Sequence, residues 1–79
     1  MAKSIHRNEY AALIEAVRDA RIAAGLTQTQ VSKKLGRSQS FISDVERGKR
    51  RLDIVELRDI ARLCGLSLPE LVADFESRL

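Results

Sequence analysis

Apolar residues recur at three- and four-residue steps along the whole chain, and no stretch alternates apolar with polar residues. The first periodic stretch defines one helix face, made of Tyr10, Leu13, Ile14, Val17, Ala20 and Ala24. This spacing follows the 3.6-residue period of an α-helix with one buried side. With four glycines and one proline in 79 residues, the chain also lacks the turn residues that an all-β fold requires. The sequence therefore predicts an all-α fold.

Four glycines divide this periodic sequence into five short helices. Each segment begins at a residue whose side chain can cap the first backbone N–H groups, and these residues are Asn8, Thr27, Ser38, Asp53 and Ser67. The first four segments end at residues suited to the left-handed conformation, namely Gly25, Gly36, Gly48 and Gly65. Pro69 falls in the first turn of the last segment, where its missing N–H costs nothing. We expect a flexible N-terminal arm over residues 1–7 and a single compact five-helix domain over residues 8–79.

Composition excludes several classes of function. Cys64 is the only cysteine and His6 the only histidine, so disulfide frameworks, cysteine-pair zinc sites and acyl-transfer chemistry lack the residues they need. No apolar run approaches the length of a transmembrane helix, and the first residues do not form the apolar segment of a secretion signal. We expect a cytoplasmic protein that is not an enzyme and uses no metal, cofactor or membrane.

Charge is unevenly distributed along the chain. Residues 1–52 carry 11 basic and 5 acidic side chains, whereas residues 53–79 carry 3 basic and 6 acidic ones. A basic portion of this kind suits a polyanion, and it leaves the acidic end for another use. Chance variation of a protein surface gives the same asymmetry, so charge alone does not decide between these interpretations.

The second and third segments have the length of a helix-turn-helix motif, although a plain helical hairpin would show the same local pattern. The residues resemble the phage repressor and Cro-like helix-turn-helix family (the XRE type) in three runs: GLTQTQVSKKLG from Gly25, SQSFISDVERGKR from Ser38 and LRDIARLCGLSLPEL from Leu57. The resemblance covers residues 9–73. It departs from the family at Ser32, where alanine is usual, and at Leu52, where proline is common. It implies a lambda repressor-like DNA-binding domain that is commonly dimeric and regulates transcription.

A helix-turn-helix inserts the N-terminal end of its second helix into the major groove of double-stranded DNA. The polar edge opposite Ile42 and Val45 is therefore predicted to read bases, and it consists of Gln39, Ser40, Ser43 and Asp44. Gln39 can bond adenine bidentately, and Asp44 can accept from a cytosine amino group. The alternative is an ordinary solvated helix surface.

Phosphate contacts are predicted for the residues around this helix, which are Gln28, Arg37, Ser38, Arg47, Lys49 and Arg50. The resemblance implies that Gln28 grips a phosphate and buttresses the recognition helix. It also implies that Arg21 and Glu46 form a structural ion pair between the first and third helices. Phe41 either packs on the core or touches a thymine methyl group, and Cys64 is predicted to be a small buried hydrophobe.

The last helix carries five apolar residues at helical spacing, which are Leu68, Leu71, Val72, Phe75 and Leu79. They are predicted to form a homodimer interface, the alternative being that all five pack within the chain. The sequence thus predicts a homodimeric regulator that represses transcription from a pseudo-palindromic operator. Two alternatives stay open: a restriction–modification controller protein that contacts polymerase, and an antitoxin whose main partner is a toxin.

Overall fold

The computed structural model describes the backbone of residues 2–79 and the side chains of residues 9–79. Five helices follow one another: α1 (Ala2–Ala23), α2 (Gln28–Lys34), α3 (Phe41–Glu46), α4 (Ile54–Leu63) and α5 (Leu68–Ser77). No strand occurs between residues 2 and 79. The predicted all-α, five-helix fold is confirmed.

Three helices begin at the predicted caps, and each start is a reciprocal capping box. The side chains of Thr27, Asp53 and Ser67 accept from the backbone N–H three residues later. The side chain at that later position accepts from the cap's own N–H, and the three partners are Gln30, Glu56 and Glu70. Two otherwise unpaired N–H groups are satisfied at each start, because the exchange is mutual.

Two other helix starts differ from the prediction. The α1 backbone is helical from Ala2, since no glycine or proline interrupts the chain before Asn8. The structure describes side chains only from residue 9 onward. The side chains of the predicted arm over residues 1–7 and of the predicted cap Asn8 are therefore outside the described part. Helix α3 begins at Phe41, not directly after Ser38, because the Phe41 N–H donates to the Ser38 carbonyl at 3.0 Å. This three-residue spacing makes Gln39 and Ser40 a turn.

The four predicted glycines end the first four helices with positive φ angles between 68° and 82°. At the end of α3, the Gly48 N–H donates to the Val45 carbonyl at 3.0 Å and the Lys49 N–H to the Asp44 carbonyl at 2.8 Å. This pair of bonds satisfies carbonyls that the helix leaves free and reverses the chain sharply. Short reversals of this type keep α2 and α3 adjacent.

An aliphatic core lies between the helices, and α1 packs against α3, α4 and α5 while α2 packs on α3. Its buried members are Ala16, Val17, Ala20, Val31, Phe41, Ile42, Val45, Leu57, Ile60, Ala61 and Leu71. Phe41 is only 3% exposed, so packing is its role. Ala24 was predicted for the buried face of α1, but it is exposed because the helix ends at Ala23.

Most of the apolar face of helix α5 packs against the core of the same chain. Leu71 is fully buried, and Leu68 and Phe75 are half-buried against the core. The assignment of Leu71 to a dimer interface is therefore wrong, because α5 lies across α1 and α4. Arg78 ties the end of α5 to α1 through Asp19 at 2.9 Å. Of the five residues predicted for an interface, only Leu79 is largely exposed, at 62%.

Candidate nucleic-acid interface

Helices α2 and α3 are held together by a buried side-chain bond. Ser32 is completely buried on α2, and its Oγ accepts from the Ile42 N–H of α3 at 3.1 Å. Ser40, the residue before α3, makes no capping bond with its side chain. Ser32 therefore satisfies an N–H in the first turn of α3 from the neighbouring helix, which fixes how α3 leaves the turn.

The polar edge predicted to read bases is on the surface. Gln39 and Ser40 are exposed in the turn, and Ser43 and Asp44 are half-buried on α3. The Ser43 hydroxyl donates to the Ser40 carbonyl at 3.0 Å, and Asp44 pairs with Arg47 at 2.9 Å. The side chains of Gln39 and Ser40 make no hydrogen bond with any residue that the structure describes. Gln39 and Ser40 thus keep their full hydrogen-bonding capacity for a ligand, whereas Ser43 and Asp44 share theirs.

Arg21, Gln28 and Glu46 meet behind this edge. Arg21 donates through Nε to Glu46 Oε2 at 2.6 Å and through Nη2 to Oε1 at 3.1 Å. Gln28 donates through Nε2 to Glu46 Oε1 at 2.9 Å. The Glu46 side chain is 3% exposed, so one buried carboxylate receives bonds from α1 and α2. The three residues lock the end of α3 to both helices.

The basic run after α3 consists of Arg47, Lys49, Arg50 and Arg51. Its arginines contact different parts of the protein. Arg47 pairs with Asp44, and the Arg51 guanidinium lies 4.6 Å from the centre of the Tyr10 ring. Arg50 reaches α4, where Nη2 donates to Glu56 Oε2 at 2.8 Å. The side chain of Lys49 makes neither a hydrogen bond nor an ion pair with any described residue. Each arginine of this run therefore has an intramolecular partner, and Lys49 is the one whose side chain has none among the described residues.

Glu56 has the most strongly perturbed carboxylate near this surface. Hydrogen bonds from Arg50, from the Asp53 N–H and from Arg37 lower the pKa of Glu56 from its ordinary 4.5 to about 2. The bond to Glu56 in turn raises the pKa of Arg50 above its ordinary value. Glu56 is therefore ionised at any physiological pH, and Arg50 stays charged beside it.

The structure also bears on the thiol, on metal-binding groups and on membrane-spanning helices. Cys64 is half-buried against the core, and burial raises the pKa of its thiol, so the reactive thiolate is disfavoured. No group of three His, Cys, Asp or Glu side chains within the described part of the chain could hold a metal ion. No described helix is both long and apolar enough to cross a membrane.

This arrangement of helices occurs in known proteins. A solved XRE-family like protein from Pseudomonas syringae pv. tomato str. DC3000 is 41% identical, with a TM-score of 0.87 over 96% of this chain and 93% of that one. A family model described as helix-turn-helix matches residues 17–71. The chain belongs to the XRE-type helix-turn-helix family. The family is one of DNA-binding transcription regulators.

Two further proteins resemble this XRE-type chain less completely. The uncharacterized HTH-type transcriptional regulator y4dJ of Sinorhizobium fredii (strain NBRC 101917 / NGR234) is 42% identical over 48 residues, 61% of this chain and 62% of its own length. The match thus spans less than two thirds of that relative. The clp gene regulator ClgR from Corynebacterium glutamicum is 22% identical, with a TM-score of 0.78 over 87% of this chain and 73% of that one, and shares the fold alone.

Two residues that support this surface, Ser32 and Glu56, were not predicted from the sequence to do so. Ser32 was noted only as a departure from the family, and Glu56 was not singled out. The spacing of Asp53 and Glu56 is that of a capping box, so sequence could have assigned Glu56 to the start of α4. Its contacts with Arg37 and Arg50 had no sequence signal, because Arg37 is 19 residues away.

Proposed function

We propose that this protein binds double-stranded DNA sequence-specifically and represses transcription as a homodimer on a pseudo-palindromic operator. The observation that carries the proposal is the exposed edge of Gln39 and Ser40 in front of a rigidly held α3. An exposed side chain that is free to bond and is carried by an immobile element is well suited to read a base.

Base recognition is assigned to the four residues of that edge. Gln39 contacts an adenine through its amide, and Ser40 contacts a base or phosphate oxygen beside it. Ser43 lies one helical turn further on. Asp44 would have to share its carboxylate between a cytosine amino group and Arg47, so we assign it the smaller part of the specificity.

Phosphate contacts are assigned to the polar residues that surround the edge, which are Gln28, Arg37, Ser38, Arg47, Lys49 and Arg50. The Lys49 side chain is exposed and has no partner among the described residues. It can therefore contact a phosphate without breaking an ion pair or hydrogen bond within the protein. Gln28 uses one amide hydrogen on Glu46 and keeps the other for a phosphate oxygen. Each phosphate neutralised contributes about 0.9 to the slope of log affinity against log salt.

A homodimer would place two recognition helices about 34–36 Å apart, on successive turns of the major groove. Two residues of the predicted interface remain available: Leu79, which is exposed beyond the end of α5, and Val72, which is half-buried within α5. Occupation of a promoter by this DNA-binding surface is the route to repression that we propose.

Selection of bound sequences from a random duplex pool tests this function. We expect enrichment of two related half-sites. Gln39→Ala should lose about 1–3 kcal/mol of discrimination at one base position of each half-site. Lys49→Ala should weaken operator and scrambled duplex about equally and reduce the salt slope by roughly one per subunit.

A pool that yields no enriched sequence would contradict specific DNA binding. If Gln39→Ala kept the wild-type preference at every position while Lys49→Ala weakened binding, DNA binding would stand and the base-reading role of Gln39 would fail.

A further inference from the structure

One carboxylate, that of Glu56, binds two of the arginines assigned to phosphate. Arg37 Nη1 donates to Glu56 Oε2 at 2.9 Å, and Arg50 Nη2 donates to the same oxygen at 2.8 Å. Arg50 Nη1 also reaches Oε1 at 3.1 Å. The Glu56 side chain is 14% exposed, whereas each arginine side chain is 37% exposed. The carboxylate therefore lies beneath two guanidinium groups that face solvent.

The ring of Phe41 forms the second support of the same two side chains. The guanidinium carbon of Arg37 lies 4.2 Å from the ring centre, and that of Arg50 lies 4.8 Å from it. Cations at this distance from an aromatic face are attracted to it. Phe41 is the first residue of α3, so both arginines are fixed beside the end of the helix that would enter the groove.

Arg50 uses more of its guanidinium N–H groups within the protein than Arg37 does. Arg50 donates to Glu56 through both terminal nitrogens and to the Arg51 carbonyl. The Arg37 guanidinium donates a single N–H to Glu56 and makes no other hydrogen bond with the described residues. Since a guanidinium has five N–H donors, Arg37 keeps most of its capacity for a phosphate while its position is already set.

We propose that Glu56 is a positioning residue for DNA binding, which holds Arg37 against Phe41 so that its free N–H groups meet a backbone phosphate beside the start of α3. The inference rests on the proposed DNA-binding function. Arg50 holds the Glu56 carboxylate in place, and Arg37 is the arginine that binds the phosphate beside the start of α3. The negative charge of Glu56 repels DNA, yet the residue strengthens binding because it holds the Arg37 guanidinium in place before DNA binds.

Glu56→Gln tests this role because it removes a negative charge and also the contact that positions Arg37. These two changes are expected to alter DNA affinity in opposite directions. Glutamine can keep the capping bond to Asp53, as Gln30 does at the start of α2, but it replaces the shared Oε2 with a donor. Loss of negative charge alone would tighten DNA binding. Loss of positioning should instead weaken operator binding about fivefold per subunit and reduce the salt slope by about 0.9.

Glu70→Gln is the matched control. Glu70 occupies the same capping-box position on α5, and it contacts no arginine among the described residues. Both variants gain one unit of charge. We expect Glu56→Gln to bind the selected operator more weakly than Glu70→Gln at equal helix content. Affinity equal to or tighter than that of Glu70→Gln would overturn the proposal.

A second measurement identifies the arginine through which Glu56 acts. Arg37→Ala should itself weaken binding about fivefold, and adding Glu56→Gln to Arg37→Ala should weaken it no further. Independent, multiplying effects would show that Glu56 does not act through Arg37.

A third measurement needs no variant and no DNA. Side-chain nitrogen relaxation by NMR should show the Arg37 guanidinium ordered in the wild-type protein, and a mobile guanidinium would also overturn the proposal. Failure of the wild-type protein to bind any duplex would instead defeat the proposed function. A DNA-binding wild type with Glu56→Gln equal to Glu70→Gln would defeat this inference alone.

Discussion

Ser32 shows how one oxygen atom changes the role of a buried position. Alanine is usual here in the family that the sequence resembles, and it would fill the same space without a polar atom. In this chain the hydroxyl accepts from the Ile42 N–H, and no buried side-chain polar atom of the described residues is left unpaired. The serine therefore substitutes for the side-chain cap that Ser40 does not supply.

We expect Ser32→Ala to lower the free energy of unfolding by about 1–3 kcal/mol, because the buried Ile42 N–H loses its partner. Urea denaturation measures the change. Ser77→Ala is the control, since the Ser77 hydroxyl bonds the Asp74 carbonyl on an exposed face and water can replace it. Equal stability of the two variants would mean that Ile42 finds another acceptor.

At the scale of elements, the carboxylate of Glu46 orients α3 relative to α1 and α2. It accepts from Arg21 of α1 and from Gln28 of α2, and Arg21 also donates to the Leu26 carbonyl at 2.8 Å. A helix of six residues has too few internal hydrogen bonds to be stable alone. Its direction is therefore set by these side-chain bonds and by the burial of its apolar face.

Arg21→Met should destabilise the protein by about 3–5 kcal/mol, because it leaves the Glu46 carboxylate buried and uncompensated. The double variant Arg21→Met with Glu46→Met should recover part of that loss, since both charges are then absent. A double-mutant cycle by urea denaturation measures the coupling. If the two single losses added in the double variant, the pair would contribute nothing as a pair.

At the scale of the whole molecule, the packing of α5 limits how two copies can associate. Phe75 was predicted to lie in a dimer interface, yet it contacts the core of its own chain. A charge at Phe75 would thus act on folding before it acted on association. Leu79 is the better probe because it is exposed and lies beyond the end of α5.

We expect Leu79→Glu to shift a homodimer toward monomer while changing the free energy of unfolding of the monomer by no more than about 0.5 kcal/mol. Phe75→Glu should cost about 2 kcal/mol or more in the monomer itself, because a charge enters an apolar contact. Sedimentation equilibrium and circular dichroism separate the two effects. A wild-type protein that is monomeric at tens of micromolar (roughly) would remove the case for an interface on α5.

The sequence alone determined the features that depend on neighbouring residues. The capping boxes at Thr27, Asp53 and Ser67 and the glycines that end the first four helices involve groups within five residues of one another. Periodicity and these local signals were therefore sufficient for five helices. The motif residues between Gly25 and Arg50 were sufficient for the family.

Only the tertiary structure decided which side chains those helices bring together. The contacts of Ser32 with Ile42 and of Glu56 with Arg37 join residues 10 and 19 positions apart. The burial of Leu71 likewise depends on where α5 lies against α1 and α4. Such contacts arise from the angles and distances between packed helices, and an apolar or charged residue reads the same in sequence whichever neighbour it finally meets.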